Sequence, residues 1–241
     1  MKEINEIIKE LIDTIENQEI ENIKKASKIM YDVMSNEGLV HVFATGHSHM
    51  FSEELFYRAC GLVQINPILI PPLMQHEGAV TSTKLERKTG LAKEIFDKED
   101  IRENECVIVV SNSGINSVPV EFACLAKKKN LKVIVLTSVA SSRKLSPRNE
   151  LNLHLYELGD VVIDNHSPYG DGAIKRNYGF IGACSTILNS YIAQSLVLEI
   201  IKLYEDDGKT PPVFLSANTP NGDNHNKELM KKYQGRIKAL H

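Results

Sequence analysis

Apolar positions in the first 36 residues recur at helical spacing. Ile4, Ile7, Ile8, Leu11, Ile12 and Ile15 are followed by Ile23, Ala26, Ile29, Met30, Val33 and Met34. This i, i+3/i+4, i+7 recurrence predicts amphipathic helix over 3–36, as one rod or as two with a break near Asn17 and Gln18. Beyond it the chain changes to short apolar runs. LVHVFAT (39–45) ends at Gly46 and reads as a strand, and SHMFSEELFYRACG (48–61) reads as a helix stopping at Gly61. LVQINPILIP (62–71) is a second strand, ended by its prolines.

ECVIVVS (105–111), LKVIVLTS (131–138) and DVVIDN (160–165) are three further apolar runs. Helical stretches separate them, the clearest being SVPVEFACLAKKKN (117–130). Strands apolar on both faces and alternating with helices predict an α/β fold with a parallel sheet covered on both sides. Residues 73–104 are polar with weak helical periodicity and are expected to cover one sheet edge. Residues 179–205 predict one long, largely apolar helix that must be buried. The tail 211–241 opens with PPVFLSANTPNGDNHN and ends in a basic amphipathic helix. There is no internal repeat or low-complexity linker. The expected organisation is therefore a helical appendage at 1–36 making oligomer contacts, a sheet domain at 37–210, and a tail at 211–241 that belongs to the same unit.

Composition narrows the partners. The net charge of −3 over 241 residues implies no basic face for nucleic acid. The N-terminus is too charged for a signal peptide, and no apolar run approaches the ~18 residues of a membrane span. Cys60, Cys106, Cys124 and Cys184 show no CxxC spacing and read as reduced cysteines. The expectation is a cytoplasmic protein with no membrane or nucleic-acid partner.

In open parallel sheets, ligands bind beyond the carboxyl ends of the strands, where strand order reverses. The loops leaving those ends are TGHSHMFSEE (45–54), SNSGINS (111–117), TSVASS (137–142) and NHSPYGDG (165–172). SNSGINS alone would make an ordinary strand-to-helix turn. Four such loops together predict a pocket rich in hydroxyls and poor in positive charge. A phosphate held by hydroxyls and helix-start amides suits it, with the helix dipole supplying part of the missing charge.

Individual side chains extend that reading. Glu54 could project into the pocket mouth as a base, and His166, just past the last strand, could serve acid/base chemistry or touch the sugar. His47 and His49 have the i, i+2 spacing of metal ligands, but no third ligand is visible, so no metal is expected and both are assigned to sugar hydroxyls with Gly46 and Asn112. His76, Glu77, Thr81, Ser82 and Lys84 could reach a pocket from 75–87. The tail could fold over the site with His225 and Asn226 as contacts.

The run Ser111-x-Ser113-Gly114, between an apolar strand and a helix, resembles the signature of sugar isomerase (SIS) domains. Gly46-x-Ser48 after the first strand and Thr137-Ser138 after the fourth match as well. The resemblance covers roughly residues 35–205 and is nearest to the phosphoheptose isomerase branch, where EEL follows the first glycine loop as Glu53-Glu54-Leu55 do here. It implies a single flavodoxin-like domain with five parallel strands in the order 2-1-3-4-5. It also implies a phosphosugar ligand and homo-oligomers with sites at subunit boundaries; from the residues themselves no cofactor is expected, and the apolar surface of the N-terminal and 179–205 helices predicts a homodimer or homotetramer. Ser48, Ser111 and Ser113 match phosphate-binding positions. Asn116 stands where the signature has Thr or Ser, with Ser117 next to it as a further hydroxyl, and Glu54 matches the catalytic base, with His166 or His225 as its partner.

The chain departs from that branch at two points. Met50 stands where a histidine is expected, with His49 one place earlier, and 179–205 contains no histidine. These are the acid/base and zinc-site positions of the branch. Isomerisation is the leading chemistry. Elimination of an ether or amino group beside the carbonyl uses the same proton abstraction, and a non-catalytic sugar-phosphate sensor is the alternative from another class. A dinucleotide oxidoreductase is excluded at the first loop, since GHSHMF lacks the second and third glycines that pyrophosphate approach requires.

Overall fold

The computed structural model describes residues 2–240. The N-terminal periodicity is realised as one unbroken helix, α1 (Lys2–Ser35). Asn17 does not break it, because its side chain donates to the Asp13 carbonyl one turn back. The chain then runs through β1 (Val40–Ala44), α2 (His49–Leu55), β2 (Ile65–Ile68), α3 (Ala79–Leu85), α4 (Leu91–Phe96), β3 (Cys106–Val110), α5 (Ser117–Lys128), β4 (Lys132–Thr137), α6 (Val139–Ser142) and β5 (Val161–Asp164). After β5 come a hairpin of β6 (Gly172–Arg176) and β7 (Gly179–Ala183), then α7 (Ser185–Asp206) and α8 (Gly222–Tyr233).

The five main strands form one parallel sheet in the order β2-β1-β3-β4-β5, as the resemblance implies. β1 pairs with β3 from Val40↔Cys106 to Ala44↔Val110. Alternate residues of these strands feed two cores, as a strand's period of two dictates. Val40, Val42, Ala44, Ile108, Val110 and Ile134 face α1, α2 and α7. Phe43, Val107, Val109, Val133 and Val135 face α4 and α5. Phe43 stacks on Phe122 at 4.1 Å between centroids, and Phe96 meets Phe122 edge-on at 5.1 Å. From Ile15 onward α1 is buried in the first core alongside α7. The tail closes a third cluster through Phe214, Tyr233, Ile237 and Leu240 against Leu39 and Val63.

Three expectations need correction. The helix read over 179–205 begins only at Ser185, because 179–183 is β7, paired antiparallel with β6. Gly182 sits at φ +75, which a glycine tolerates without strain, and Phe180 and Ile181 are exposed where a buried helix would hide them. The helix read over 48–61 stops at Leu55. Phe56 turns extended, and the tail pairs back onto the following residues, with Cys60 N–H donating to Phe214 O at 2.8 Å and Val63 N–H to Pro212 O at 3.0 Å. The segment 73–104 does more than cover an edge: α4 packs on α5, and α3 delivers residues to the strand ends.

At the opposite end of the sheet lies a buried charged network. Glu105 accepts from His41 Nε2 at 2.8 Å, from Arg236 Nη1 at 2.7 Å and Nη2 at 3.1 Å, and from the amides of Leu39 and Arg102 at 2.9 and 2.8 Å. Burial disfavours its ionised form, but the bonds from His41, Arg236 and the two amides override that and hold the carboxyl well below the usual range. Glu105 thus ties β1, β3 and the tail together. Glu105→Gln is expected to cost about 3 kcal/mol at pH 7, since it leaves Arg236 without its buried counter-ion. The folded carboxyl titrates below its unfolded value of 4.5, so its contribution is complete above that value and fades as pH falls through it. Thermal melts should therefore show the gap between native and variant narrowing from pH 7 to pH 4. An equal gap at both would remove Glu105 as the cause.

Candidate functional site

The chain passes from β1 to β2 on one side of β1 and returns to β3 on its other side, so strand order reverses between β1 and β3. At the carboxyl ends of these two strands lies a cavity of about 270 Å³. Thr45, Gly46, His47 and Ser48 line it from the β1 loop, and Ser111, Asn112, Ser113 and Asn116 line it from the β3 loop. Gln75, Ser82, Thr83 and Glu86 approach from the β2–β3 crossover, Asp171 from the turn before β6, and Ser185, Thr186 and Asn189 from the start of α7. No lysine or arginine of the described residues lines it.

The SNSGINS loop is shaped by its glycine. Gly114 has φ +61, and a Cβ there would lie 3.0 Å from Thr137 Oγ1 and 3.1 Å from Ser142 Oγ, so the loop closes against the next one only without a side chain. The Ser111 hydroxyl accepts the Gly114 amide at 3.2 Å. Asn112 Oδ1 accepts from Asn165 Nδ2 and Ser167 Oγ, both at 2.9 Å, and Asn165 reaches on to Asn189 Oδ1 at 2.8 Å. The floor of the cavity is thus an amide and hydroxyl lattice that crosses from β3 through β5 to α7.

That lattice divides the predicted hydroxyls into two groups. Thr137 donates to the Asn112 carbonyl at 3.3 Å, Ser138 to Ser167 O at 2.7 Å, and Ser117 to Arg148 O at 3.2 Å. All three are buried and lie behind the cavity, not on its wall. Ser48 and Ser113 line the wall, and their hydroxyls bond to nothing else in the described chain. Ser111 lines it with its hydroxyl already accepting.

The predicted catalytic groups are placed elsewhere. Glu54, on α2, accepts from Gln194 Nε2 of α7 and from Arg58 Nη1, each at 2.7 Å, and is absent from the cavity wall. His166 turns toward α1, with Nε2 3.3 Å from Glu19 Oε1, and His225 bonds the Val213 carbonyl at 3.0 Å. His47 reaches the cavity, whereas His49 is buried beneath it, with Nδ1 3.1 Å from Gly46 O and Nε2 without a partner. Burial pushes the His49 pKa down. Asn226 clamps the tail by bonding both the amide and the carbonyl of Leu215 at 2.8 Å. Among the described residues no His/Cys/Asp/Glu group is arranged to hold a metal, and no helix is long and apolar enough to cross a membrane.

Of the crossover residues singled out in the sequence, Ser82 reaches the wall and His76, Glu77, Thr81 and Lys84 do not. Sequence reasoning passed over two carboxylates that do. Glu86 accepts from Thr45 Oγ1 at 3.0 Å and from Asn116 Nδ2 at 2.8 Å. Burial raises its pKa, and the Thr45 hydroxyl and the charges of Arg87 and Arg148 offset this only in part. Asp171 caps α7 from a distance: Oδ1 accepts the Ser185 amide at 2.7 Å and Oδ2 the Ser185 hydroxyl at 2.7 Å. The visible signal for Asp171 was its Asp-Gly turn. Glu86 had none, since one acid in the basic run KLERK looks like an ordinary solvated helix end.

The fold has known counterparts. A SIS-domain family model matches residues 4–138. A UPF0309 protein of Listeria innocua is 42% identical over 232 residues, spanning 95% of this chain and 94% of the relative. Among solved structures, the phosphoheptose isomerase GmhA of Neisseria gonorrhoeae has a TM-score of 0.54 at 14% identity, covering 81% of this chain and 93% of its own. The NanR protein of Vibrio vulnificus, complexed with ManNAc-6P, has a TM-score of 0.54 at 13% identity, covering 95% of this chain and 67% of its own. With more than half its length matched by the family model and a relative alike over nearly all of it, the chain belongs to the SIS-domain family.

Proposed function

We propose that the protein binds a phosphorylated sugar in the cavity between β1 and β3 and catalyses aldose–ketose isomerisation. The observation that carries the binding reading is the meeting of Ser48 and Ser113, two uncommitted hydroxyls from two strand-end loops, beside the start of the 12-residue helix α5. Hydroxyls, loop amides and a helix dipole hold a phosphate without a cationic side chain. Fold neighbours support the ligand class, since one is a phosphoheptose isomerase and another was solved with ManNAc-6P.

Isomerisation moves a proton between C1 and C2, which calls for a base held in fixed orientation. Glu54 is the family-matched candidate, and its bonds from Gln194 and Arg58 fix both carboxylate oxygens. A second reading, a sensor without turnover, is favoured by one observation: Glu54, His166 and His225 all lie off the wall of the single-chain cavity. Assembly bears on this choice. Met50 and Tyr57 at α2 and Leu198 on α7 are exposed apolar side chains on neighbouring helices, which supports a homodimer or homotetramer.

Ser113→Ala is expected to weaken glucose 6-phosphate binding about tenfold in calorimetry, the loss of one hydrogen bond to a charged group. Unchanged affinity would move the phosphate away from the SNSGINS loop. In D₂O, proton NMR of the protein with aldose and ketose phosphates should show loss of the C1 or C2 proton signal, abolished by Glu54→Gln. Ligand line-broadening with no exchange would give the lead to the sensor reading. Sedimentation at micromolar concentration should return a dimer or tetramer, and a monomer would remove the assembly argument.

A further inference from the structure

The cavity is acidic for a phosphate site. Glu86 and Asp171 both line it, and neither is balanced by a lysine or arginine on the wall. Asp171 is committed to capping α7. Glu86 is not consumed in this way: its donors are a neutral hydroxyl and a neutral amide, from Thr45 and Asn116. The cations that partly offset its burial, Arg87 and Arg148, do not line the cavity.

A second, independent feature lies beside it. Asn116 is 5% exposed and lines the same wall. Its Nδ2 is spent on Glu86, and its Oδ1 is buried with no donor. Buried acceptors without donors are costly and rare in folded proteins. The wall around Glu86 therefore carries negative charge and a buried acceptor without a donor, and among the described residues no lysine or arginine answers them there. A plain sugar phosphate brings hydroxyls and two more negative charges, so it leaves the charge unbalanced. A protonated amine on the sugar would supply both the charge and the donors, in a charge-assisted hydrogen bond.

Resting on the phosphosugar reading above, we propose that the ligand is an amino-sugar phosphate and that Glu86, with Asn116, is the residue pair that selects its ammonium group. The phosphate meets Ser48 and Ser113, and the ammonium meets Glu86.

Calorimetry of the full-length protein at pH 7 with three probes tests this: glucosamine 6-phosphate, glucose 6-phosphate and N-acetylglucosamine 6-phosphate. The amine should bind at least about tenfold more tightly than either of the others, since acetylation removes the charge and keeps the ring and phosphate. In Glu86→Gln the preference should collapse to within about threefold, with the glucose 6-phosphate affinity retained or improved as one like charge leaves the cavity. Equal affinities for the three probes in the native protein would overturn the proposal and leave the phosphosugar reading standing. A preference that survives in Glu86→Gln would also overturn it. Binding of none of the three would remove the phosphosugar reading itself, and this inference with it. If Glu86→Gln fails to fold, Glu86→Asp takes its place, with the preference expected to fall and an unchanged preference overturning the proposal; equal affinities in the native protein overturn it in either case.

Discussion

The pairing of β1 with β3 is the contact on which the rest of the molecule depends. Those strands are separated in sequence by β2 and the three short helices α2, α3 and α4, yet they lie side by side in the centre of the sheet. A parallel neighbour across such a crossover leaves a crevice at the carboxyl ends, because consecutive loops depart in opposite directions. The loops that wall the candidate cavity all meet at that crevice. The other end of the same pair is held by Glu105, which reaches from the start of β3 to His41 in β1 and to Arg236 in the tail. The sheet is thus pinned by charge at its amino ends and carries the cavity at its carboxyl ends.

Much of this was legible in the chain. The central strands β3 and β4 could be read because they are apolar on both faces, and both faces are buried over nearly their whole length. α1 was legible as helix from its period but not as a single piece, since Asn17 and Gln18 resemble a break until the side-chain bond to the preceding turn is seen. β7 was misread as helix because Gly179, Phe180, Ile181 and Gly182 run directly into the apolar face of α7. Periodicity over five residues cannot separate a strand from a first helical turn. The hairpin is held by its backbone, which composition does not report.

The site was legible at the level of loops and less so at the level of atoms. Ser48, Ser111, Ser113, Asn116, His47 and Asn112 are indeed brought to one wall. Ser117, Thr137 and Ser138 have the same residue chemistry but spend it behind the wall on carbonyl oxygens. Whether a hydroxyl is offered to a ligand or to the backbone is decided by long-range partners such as Arg148 and Ser167, and no local pattern encodes those. Glu86 shows the opposite case: its local context is bland, and only the long crossover from β2 brings it between Thr45 and Asn116.

The two helix starts at the cavity have been treated differently, and this sets the electrostatics of the site. At α7 the chain supplies its own anion, the Asp171 carboxylate, so the helix dipole there is already answered. At α5 the capping residue Asn116 makes no side-chain cap bond and turns its amide to Glu86 instead. An external anion is therefore favoured at α5 rather than α7, and it must share the space with Glu86. A sphere of the cavity's volume, about 270 Å³, is about 8 Å across. Two like unit charges at that separation repel by about 2 kcal/mol at an effective dielectric of about 20. That is comparable to the whole contribution of a charge-assisted hydrogen bond. A phosphate alone would lose most of what one of its hydrogen bonds provides, whereas a ligand carrying its own cation between the phosphate and Glu86 turns the same geometry from repulsion to attraction. On the proposal of an amino-sugar ligand, the acidity of the wall discriminates between ligands that share a phosphate.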